Sequence, residues 1–321
     1  MKLAIVGTGK IVEDVLPVLS EIDGIDLKAI LSTPRSIGKA QALVEQFAIE
    51  KAFSQFEELL SYPEIDTLYI ASPNHLHYQM AKQGLLAGKH VICEKPFTLR
   101  LSELEELVRI SKEKDLILLE AITNQYLENF HFIKENLKQI GQVKIVECNY
   151  SQYSSRYDAF KEGQIAPAFD ASKGGGALRD LNIYNIHLVV GLFGQPKDVS
   201  YMANMERGVD TSGVLLLDYE EFKVVCIGAK DCEADIRSTI QGNQGSIAVL
   251  GATNTLPQVQ VAVRGQEPLV LNLNQSEHRM VAEFKAFQEI INQKDVKKVD
   301  QALQHSLAVM QVLEKAAESL V

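Results

Sequence analysis

The first 120 residues alternate short apolar runs with amphipathic stretches, and this alternation limits the possible folds more than any other feature of the sequence. The apolar runs are residues 3–6, 27–31, 68–71, 90–93 and 117–120. Between these runs, apolar residues recur with the spacing of an amphipathic helix at residues 11–19, 37–47, 78–87 and 102–114. Strands that are apolar on both faces and separated by helices predict a parallel sheet with helices on both sides.

The pattern changes after residue 121. A helix is predicted over residues 124–138, and alternating strands over 143–150, 198–204, 213–219, 223–229, 237–242, 246–250 and 258–263. Hairpin turns are predicted at 219–222 and 242–245, and terminal helices near 277–292 and 301–319. We therefore predict an α/β protein. A Rossmann domain at 1–121 precedes an α+β domain at 122–321 with a large open, mostly antiparallel sheet.

Composition narrows the classes of partner. The chain of 321 residues has a net charge of −10, whereas nucleic-acid binders need a basic surface. No run reaches the length of about 18 apolar residues expected of a membrane span. The four cysteines form no CxxC pair, so we expect neither disulfides nor a metal site. Residue 2 already enters a strand without a secretory signal ahead of it, and we expect a cytoplasmic protein.

A glycine-rich turn joins the first strand to the first helix. Gly7-Thr8-Gly9-Lys10-Ile11 stands at this first βα junction, where the backbone of a dinucleotide-binding domain approaches the pyrophosphate at a helix N-terminus. The third position of the fingerprint is Val12 rather than Gly or Ala, which affects helix–strand packing but not the phosphate contact. The turn predicts binding of NAD or NADP.

The end of the second strand bears on the choice of cofactor. It reads Ser32-Thr33-Pro34-Arg35 and holds no carboxylate for the ribose hydroxyls. Asp26 has the required spacing from Gly7 but precedes the strand. Hydroxyls followed by Arg35 favour the 2′-phosphate of NADP. The alternative is that Arg35 is simply a solvated residue at the start of a helix.

Two further loops follow later strands of the same sheet. Ala71-Ser72-Pro73-Asn74 leads towards His77, and Asn74 and His77 either bind cofactor or substrate or only begin a helix. Glu94-Lys95-Pro96 ends the next strand, at the edge of the sheet where ligands bind, and Pro96 restricts the backbone of Lys95.

A second group of polar residues follows Gly174-Gly175-Gly176. Asp180, Tyr184 and His187 are spaced at i, i+4 and i+7, so an α-helix places them on one face. They are either part of a ligand site or a buried Asp–His pair with a structural role.

These motifs together resemble the glucose–fructose oxidoreductase / inositol dehydrogenase / rhizopine catabolism (Gfo/Idh/MocA) oxidoreductase family. They occur in the family's order and cover both predicted domains. The resemblance implies that Lys95 is the active-site lysine and that Asp180 is its carboxylate partner. It also implies that position 184 transfers the proton and that the C-terminal sheet forms homodimers or homotetramers.

The residue at position 184 departs from one branch of the family. By the same resemblance, inositol dehydrogenases have His at this position. Tyr at position 184 makes this chain more similar to the glucose–fructose oxidoreductase and dihydrodiol dehydrogenase branches. A nearby ammonium favours ionisation of a phenol. The hypothesis is that Tyr184 is the acid/base, that Lys95 orients and stabilises charge, and that Asp180 holds Lys95 or a hydroxyl. His187 supplements or replaces Tyr184.

The predicted activity is hydride transfer between nicotinamide and the hydroxyl or carbonyl carbon of a small polyhydroxylated substrate such as a sugar, polyol or dihydrodiol. NADP is the preferred cofactor and NAD the alternative. Two other functions stay open: a non-catalytic NAD(P)-binding regulator, and a reductase of a non-sugar substrate. The segment 153–169, with Arg156, Tyr157 and Asp158, either determines substrate specificity or is a surface loop.

Overall fold

The computed structural model of the chain describes residues 1–319 in two compact units. The first unit contains Met1–Ala121 together with Met280–Leu307. The second contains Ile122–Arg279 and the chain from Ala308 onward. The segment Met280–Leu307, which the sequence division assigns to the second domain, therefore packs within the first unit. Its two aromatic residues Phe284 and Phe287 are completely buried.

The first unit is built on a six-stranded parallel sheet in the order β3-β2-β1-β4-β5-β6. Its strands are β1 Lys2–Val6, β2 Asp26–Leu31, β3 Lys51–Phe53, β4 Thr67–Ile70, β5 His90–Glu94 and β6 Leu118–Ala121. Its helices are α1 Lys10–Leu19, α2 Ile37–Phe47, α3 Phe56–Leu60, α4 His77–Leu86, α5 Leu101–Glu113, α9 Met280–Gln293 and the first half of α10 Val296–Glu318. The predicted parallel Rossmann sheet is confirmed.

The strand order predicts where a ligand binds on this sheet. The order reverses between β1 and β4, which lie side by side and continue in opposite directions across the sheet. Ligands of open α/β sheets bind beyond the carboxyl ends of the strands at such a switch point. The loops after β1 and β4 begin at Gly7 and Ala71, so two of the predicted motifs meet there.

The second unit contains an eight-stranded sheet in the order β14-β13-β12-β11-β7-β10-β9-β8. Its strands are β7 Val143–Ser151, β8 Asp198–Glu206, β9 Val209–Asp218, β10 Lys223–Ala229, β11 Arg237–Gly242, β12 Gly245–Leu250, β13 Val259–Val263 and β14 Leu269–Leu271. Neighbouring strands are antiparallel apart from the parallel pair of β7 and β10. Its helices are α6 Glu128–Asn136, α7 Tyr157–Lys161, α8 Ile183–Phe193 and the end of α10. The prediction of a large, mostly antiparallel sheet is confirmed.

The sequence patterns and the structure differ mainly in short elements. The helix predicted over 124–138 divides into a 3₁₀ turn at Thr123–Gln125, α6, and a second 3₁₀ turn at Leu137–Ile140. Strands β3 and β14 have three residues each, too few for an alternating pattern to show. Both predicted hairpins are confirmed, since β9 pairs with β10 and β11 with β12. Within residues 1–319, no helix is long and apolar enough to cross a membrane.

Candidate active site

The turn after β1 is shaped for close approach of a ligand to the backbone. Gly7 has φ +125°, and a Cβ there would lie 2.5 Å from the carbonyl oxygen of Ala71. A Cβ on Gly9 would instead point into open space. Helix α1 begins after Gly9 without a side-chain cap, which leaves its N-terminal amides to bind an anion. This turn fits the pyrophosphate of a dinucleotide.

The end of β2 lies beside that turn, because the Gly7 amide donates to the Leu31 carbonyl, and the residues after it carry hydroxyls and a guanidinium. Ser32 is buried and its amide donates to the Phe53 carbonyl, while Thr33 and Arg35 are exposed. The Thr33 and Ser36 hydroxyls lie 2.9 Å apart. Asp26 is the first residue of β2, at the end of the strand opposite to Ser32, and so is on the wrong side for a ribose.

His77 connects the loop after β4 to the loop after β5. It starts α4, is fully buried, and places Nδ1 2.9 Å from the Pro96 carbonyl and Nε2 2.9 Å from the Ser72 carbonyl. A neutral imidazole carries one N–H, so it donates to one carbonyl at a time. Burial lowers the pKa of His77, although both carbonyls oppose this shift. The helix starts at His77 after a 3₁₀ turn that begins with Asn74.

The Glu94-Lys95-Pro96 segment is held by buried polar contacts on both sides of Lys95. Tyr69 donates its hydroxyl to Glu94 at 2.5 Å. The Phe97 amide donates to Glu120 Oε1 at 3.1 Å, and the Ser306 hydroxyl donates to Glu120 Oε2 at 2.6 Å. Glu94 and Glu120 are buried, whereas Lys95 retains partial exposure. The surrounding carboxylates thus fix the backbone that carries the lysine.

A tight turn precedes the second group of polar residues, and Asp210 organises it. Gly176 has φ +116°, and a Cβ there would collide with the Asp210 carboxylate. Asp210 Oδ2 accepts from the Leu178 amide at 2.7 Å and from the Tyr201 hydroxyl at 2.8 Å. Burial raises the pKa of Asp210, and these two bonds oppose the shift. Glycine is therefore needed at position 176 so that the chain can pass over a buried carboxylate.

The segment that carries Asp180 is not a regular α-helix. Leu178–Asn182 forms a π-helical turn, which continues directly into α8. The expected α-helical face of Asp180, Tyr184 and His187 is interrupted there, because a π turn contains an extra residue. The Asp180 side chain is 35% exposed, Tyr184 is 8% exposed and His187 is fully buried. Such π-bulges occur frequently at functional sites.

Buried amides hold the helix that carries Tyr184. Asn124 Nδ2 donates to the Tyr184 carbonyl at 2.9 Å, and Gln125 Nε2 donates to the His187 carbonyl at 2.9 Å. Asn185 donates to the Ile227 carbonyl of β10 at 3.0 Å. Because buried polar groups need partners, these bonds lock α8 in position on the sheet.

Sequence reasoning missed Lys230, which directly contacts Asp180. Lys230 follows β10 and is 2% exposed, and its Nζ lies 2.7 Å from Asp180 Oδ2. The signal was available: Lys230-Asp231 ends a buried strand, just as Glu94-Lys95 ends β5. Asp210 and Glu120 were missed as well, since their roles depend on contacts with distant parts of the sequence.

No group of three or more His, Cys, Asp or Glu side chains within residues 1–319 is arranged to hold a metal ion. All four cysteines, Cys93, Cys148, Cys226 and Cys232, are free thiols.

Comparison with known proteins now identifies the family. Residues 1–121 match the oxidoreductase family with an NAD-binding Rossmann fold, Gfo/Idh/MocA, and residues 136–248 match the GFO/IDH/MocA C-terminal domain. The chain is 32% identical over 323 residues to the scyllo-inositol 2-dehydrogenase (NADP(+)) IolU of Bacillus subtilis, covering 100% of this chain and 97% of that one. The chain belongs to the Gfo/Idh/MocA oxidoreductase family.

Other similar proteins agree with this assignment. The chain is 27% identical over 265 residues to trans-1,2-dihydrobenzene-1,2-diol dehydrogenase of Mus musculus, covering 81% of this chain and 74% of that one. A solved structure of KijD10, a 3-ketoreductase from Actinomadura kijaniata in complex with NADP and TDP-benzene, has a TM-score of 0.85. It is 21% identical, with coverage of 99% and 97%, and so supports the fold. The protein is an NAD(P)-dependent oxidoreductase, as the sequence predicts.

Proposed function

We propose that the protein is an NADP-dependent dehydrogenase of a secondary alcohol in a small polyol or sugar-like molecule, acting also as the ketoreductase in reverse. The observation that carries this proposal is the presence of Lys95, Asp180 and Tyr184 on anchored backbone segments. A regulator that only binds the cofactor has no need for a buried polar framework around these side chains. The relatives named a scyllo-inositol 2-dehydrogenase, a dihydrodiol dehydrogenase and a 3-ketoreductase share this chemistry.

In this proposal the two units have separate roles. The first binds the dinucleotide through Gly7, Thr8, Gly9, Lys10 and Ile11, with Ala71, Ser72, Pro73 and Asn74 completing the loop beside it. The second binds substrate and forms the oligomer. His77 and Glu94 support the binding loops from behind, since both are buried and bonded within the first unit. The free thiols favour a reducing compartment, and we propose the cytoplasm.

The proposed mechanism assigns one task to each side chain. Bound NADP supplies a nicotinamide ring that accepts or returns hydride. Tyr184, as the phenolate, takes the hydroxyl proton during oxidation and, as the phenol so formed, returns it during reduction. Lys95 stabilises the negative charge that develops on the substrate oxygen. Asp180 orients a substrate hydroxyl. Complete burial of His187 favours a structural role for that residue.

The experiment that tests this function is a turnover assay with NADP⁺ and a panel of inositols, aldoses and dihydrodiols. Formation of NADPH with at least one of them supports the proposal. Tight cofactor binding without turnover on any substrate would instead favour a non-catalytic regulator. The same panel with keto substrates and NADPH measures the reverse reaction.

Cofactor selectivity gives the first specific prediction. Arg35→Ala raises the KM for NADPH by about tenfold or more and leaves the KM for NADH unchanged, because a hydrogen bond to a charged group contributes about 1.5–3 kcal/mol. Steady-state kinetics with each cofactor measures the effect. Arg109→Ala on α5, which also removes one exposed guanidinium, is the control. Equal losses with both cofactors would show that Arg35 does not recognise the 2′-phosphate.

We further propose that the outer face of the eight-stranded sheet joins copies of this chain into a homodimer or homotetramer. Met202 is 59% exposed and Leu216 is 39% exposed on this face. The register places Met202 opposite Val214, and Val225 opposite Leu216, so an apolar strip crosses β8, β9 and β10. A solvent-facing sheet surface normally carries polar residues, and a contiguous apolar one indicates an interface.

Charged residues on this strip are expected to dissociate the oligomer. Met202→Asp combined with Leu216→Asp lowers the mass measured by sedimentation velocity to that of a monomer, since an interface does not accept unpaired buried carboxylates. Leu86→Asp introduces a charge at an exposed leucine of α4 and leaves the mass unchanged. A double variant that keeps the wild-type mass would place the interface elsewhere.

A further inference from the structure

Lys230 is an unusual residue because its ammonium is almost completely buried. The side chain is 2% exposed and extends from the end of β10 into the second unit. Lysine is almost never fully buried unless it is paired, because removing an ammonium from water is strongly unfavourable. Such a group is retained where its charge serves another group, so its contacts identify that group.

One contact of Lys230 is Asp180, the carboxylate that the family resemblance places in the site. Nζ lies 2.7 Å from Asp180 Oδ2, within hydrogen-bond and ion-pair distance. The two ends of this ion pair differ in environment: the lysine is buried, whereas the Asp180 side chain is 35% exposed. A buried, fixed cation therefore constrains a carboxylate that still has a surface accessible to a ligand.

Further contacts of Lys230 belong to the segment 153–169. Nζ donates to the Ala168 carbonyl at 2.5 Å and lies 4.3 Å from the centroid of the Phe169 ring. The Lys230 carbonyl accepts from the Ser154 amide at 2.9 Å. Both ends of the segment that the sequence suggests for substrate specificity are thus bonded to the residue that holds Asp180.

We propose that Lys230 is a positioning residue that fixes the Asp180 carboxylate for substrate binding and links it to the segment 153–169. This proposal rests on the proposed function, because it concerns the same reaction. Lys95, which the family resemblance identifies, acts on the substrate oxygen, whereas Lys230 acts through Asp180. Rigid support of this kind matters because a displacement of about 1 Å at a catalytic group lowers rates by roughly 100-fold.

A double-mutant cycle tests the proposal. Lys230→Met keeps most of the unbranched side chain and removes the ammonium, and we expect kcat to fall roughly 100-fold while the Kd for NADPH is unchanged. In the Asp180→Asn background the same change should have little further effect on kcat, because two residues that act as a unit are not additive. Lys230→Arg should recover part of the activity, since it restores the cation.

The controls separate positioning from simple loss of structure. Lys197→Met removes an exposed lysine that pairs with Glu220, and it should leave kcat and KM unchanged. Circular dichroism checks that each variant is folded. If Lys230→Met does not fold, Lys230→Gln keeps a donor for the Ala168 carbonyl without the charge, and we expect the same loss of kcat and the same lack of additivity.

Three results would overturn the proposal. Wild-type kcat in folded Lys230→Met would show that Asp180 needs no such support. An equal fold-loss in the wild-type and Asp180→Asn backgrounds, with no recovery in Lys230→Arg, would show that Lys230 only stabilises the fold. A wild-type protein that binds NADPH but turns over no member of the substrate panel would remove the proposed function, and this proposal with it.

Discussion

Replacing Lys95 by methionine lowers kcat by about 1,000-fold and leaves the Kd for NADPH within about twofold of the wild-type value. The ammonium stabilises charge on the substrate oxygen only while hydride is transferred, so its loss acts on the transition state rather than on cofactor binding. The loop itself should persist, because Tyr69–Glu94 and Phe97–Glu120 contacts hold the backbone on both sides. Steady-state kinetics and fluorescence titration of NADPH measure the two quantities.

Lys112→Met is the matched control for this variant. Lys112 lies on α5 of the same unit, is 60% exposed and pairs with Asp300, so its loss should change neither kcat nor cofactor affinity. Wild-type turnover in Lys95→Met would contradict the proposed role of the lysine. A large loss of NADPH affinity would instead make Lys95 a cofactor ligand whose effect on turnover is indirect.

Replacing Tyr184 by phenylalanine lowers kcat by about 100-fold or more, with a small effect on KM. The change removes one oxygen, while the ring keeps its packing against Tyr150, whose centroid is 6.1 Å away. Asn124 continues to hold the backbone carbonyl, so the helix stays in place. The loss is therefore that of an acid/base group, measured by kcat and KM at several pH values.

Two further variants test whether the loss of kcat is specific to the Tyr184 hydroxyl. Tyr219→Phe removes a phenol oxygen on the β9–β10 hairpin that donates to the Gly194 carbonyl at the C-terminal end of α8, the end opposite to Tyr184, and it should leave kcat unchanged. His187→Gln tests the alternative acid/base. A folded His187→Gln variant that loses more activity than Tyr184→Phe would transfer the acid/base role to the histidine, despite its burial.

Much of the fold was predictable because its signals are local in the sequence. Strands β1 and β5 are apolar on both faces, and β10 alternates between buried and partly exposed positions. Each of these patterns lies within a single strand and depends only on how that strand is buried. Gly7 was recognisable from its place at the first βα junction, and the structure gives the reason for glycine there, since its positive φ and the close approach of Ala71 both exclude a side chain. The apolar run placed Asp26 just ahead of the strand, whereas it is the first residue of β2, and in both cases it lies at the end remote from Ser32.

The remaining features depend on contacts between distant parts of the chain. The ion pair of Lys230 with Asp180 spans 50 positions, and the bond of Asp210 to the Leu178 amide spans 32. The periodicity of apolar residues within a segment does not show which residues of distant segments meet in the fold. The π turn at Leu178–Asn182 begins at the residue whose amide donates to Asp210, so its first residue also has a contact with a distant part of the chain that the local pattern does not show.

The most direct test of hydride transfer traces the hydrogen atom from the substrate to the cofactor instead of measuring the absorbance of NADPH. A polyol that supports turnover is labelled with deuterium at each secondary carbon, incubated with NADP⁺ and the wild-type protein, and the cofactor is examined by mass spectrometry. If hydride leaves a substrate alcohol, each NADPH formed carries one deuterium, none appears with unlabelled substrate, and Lys95→Met forms almost no product. NADPH formed without deuterium, or a folded protein that binds NADP⁺ yet never reduces it with any member of the panel, would contradict hydride transfer from a substrate alcohol.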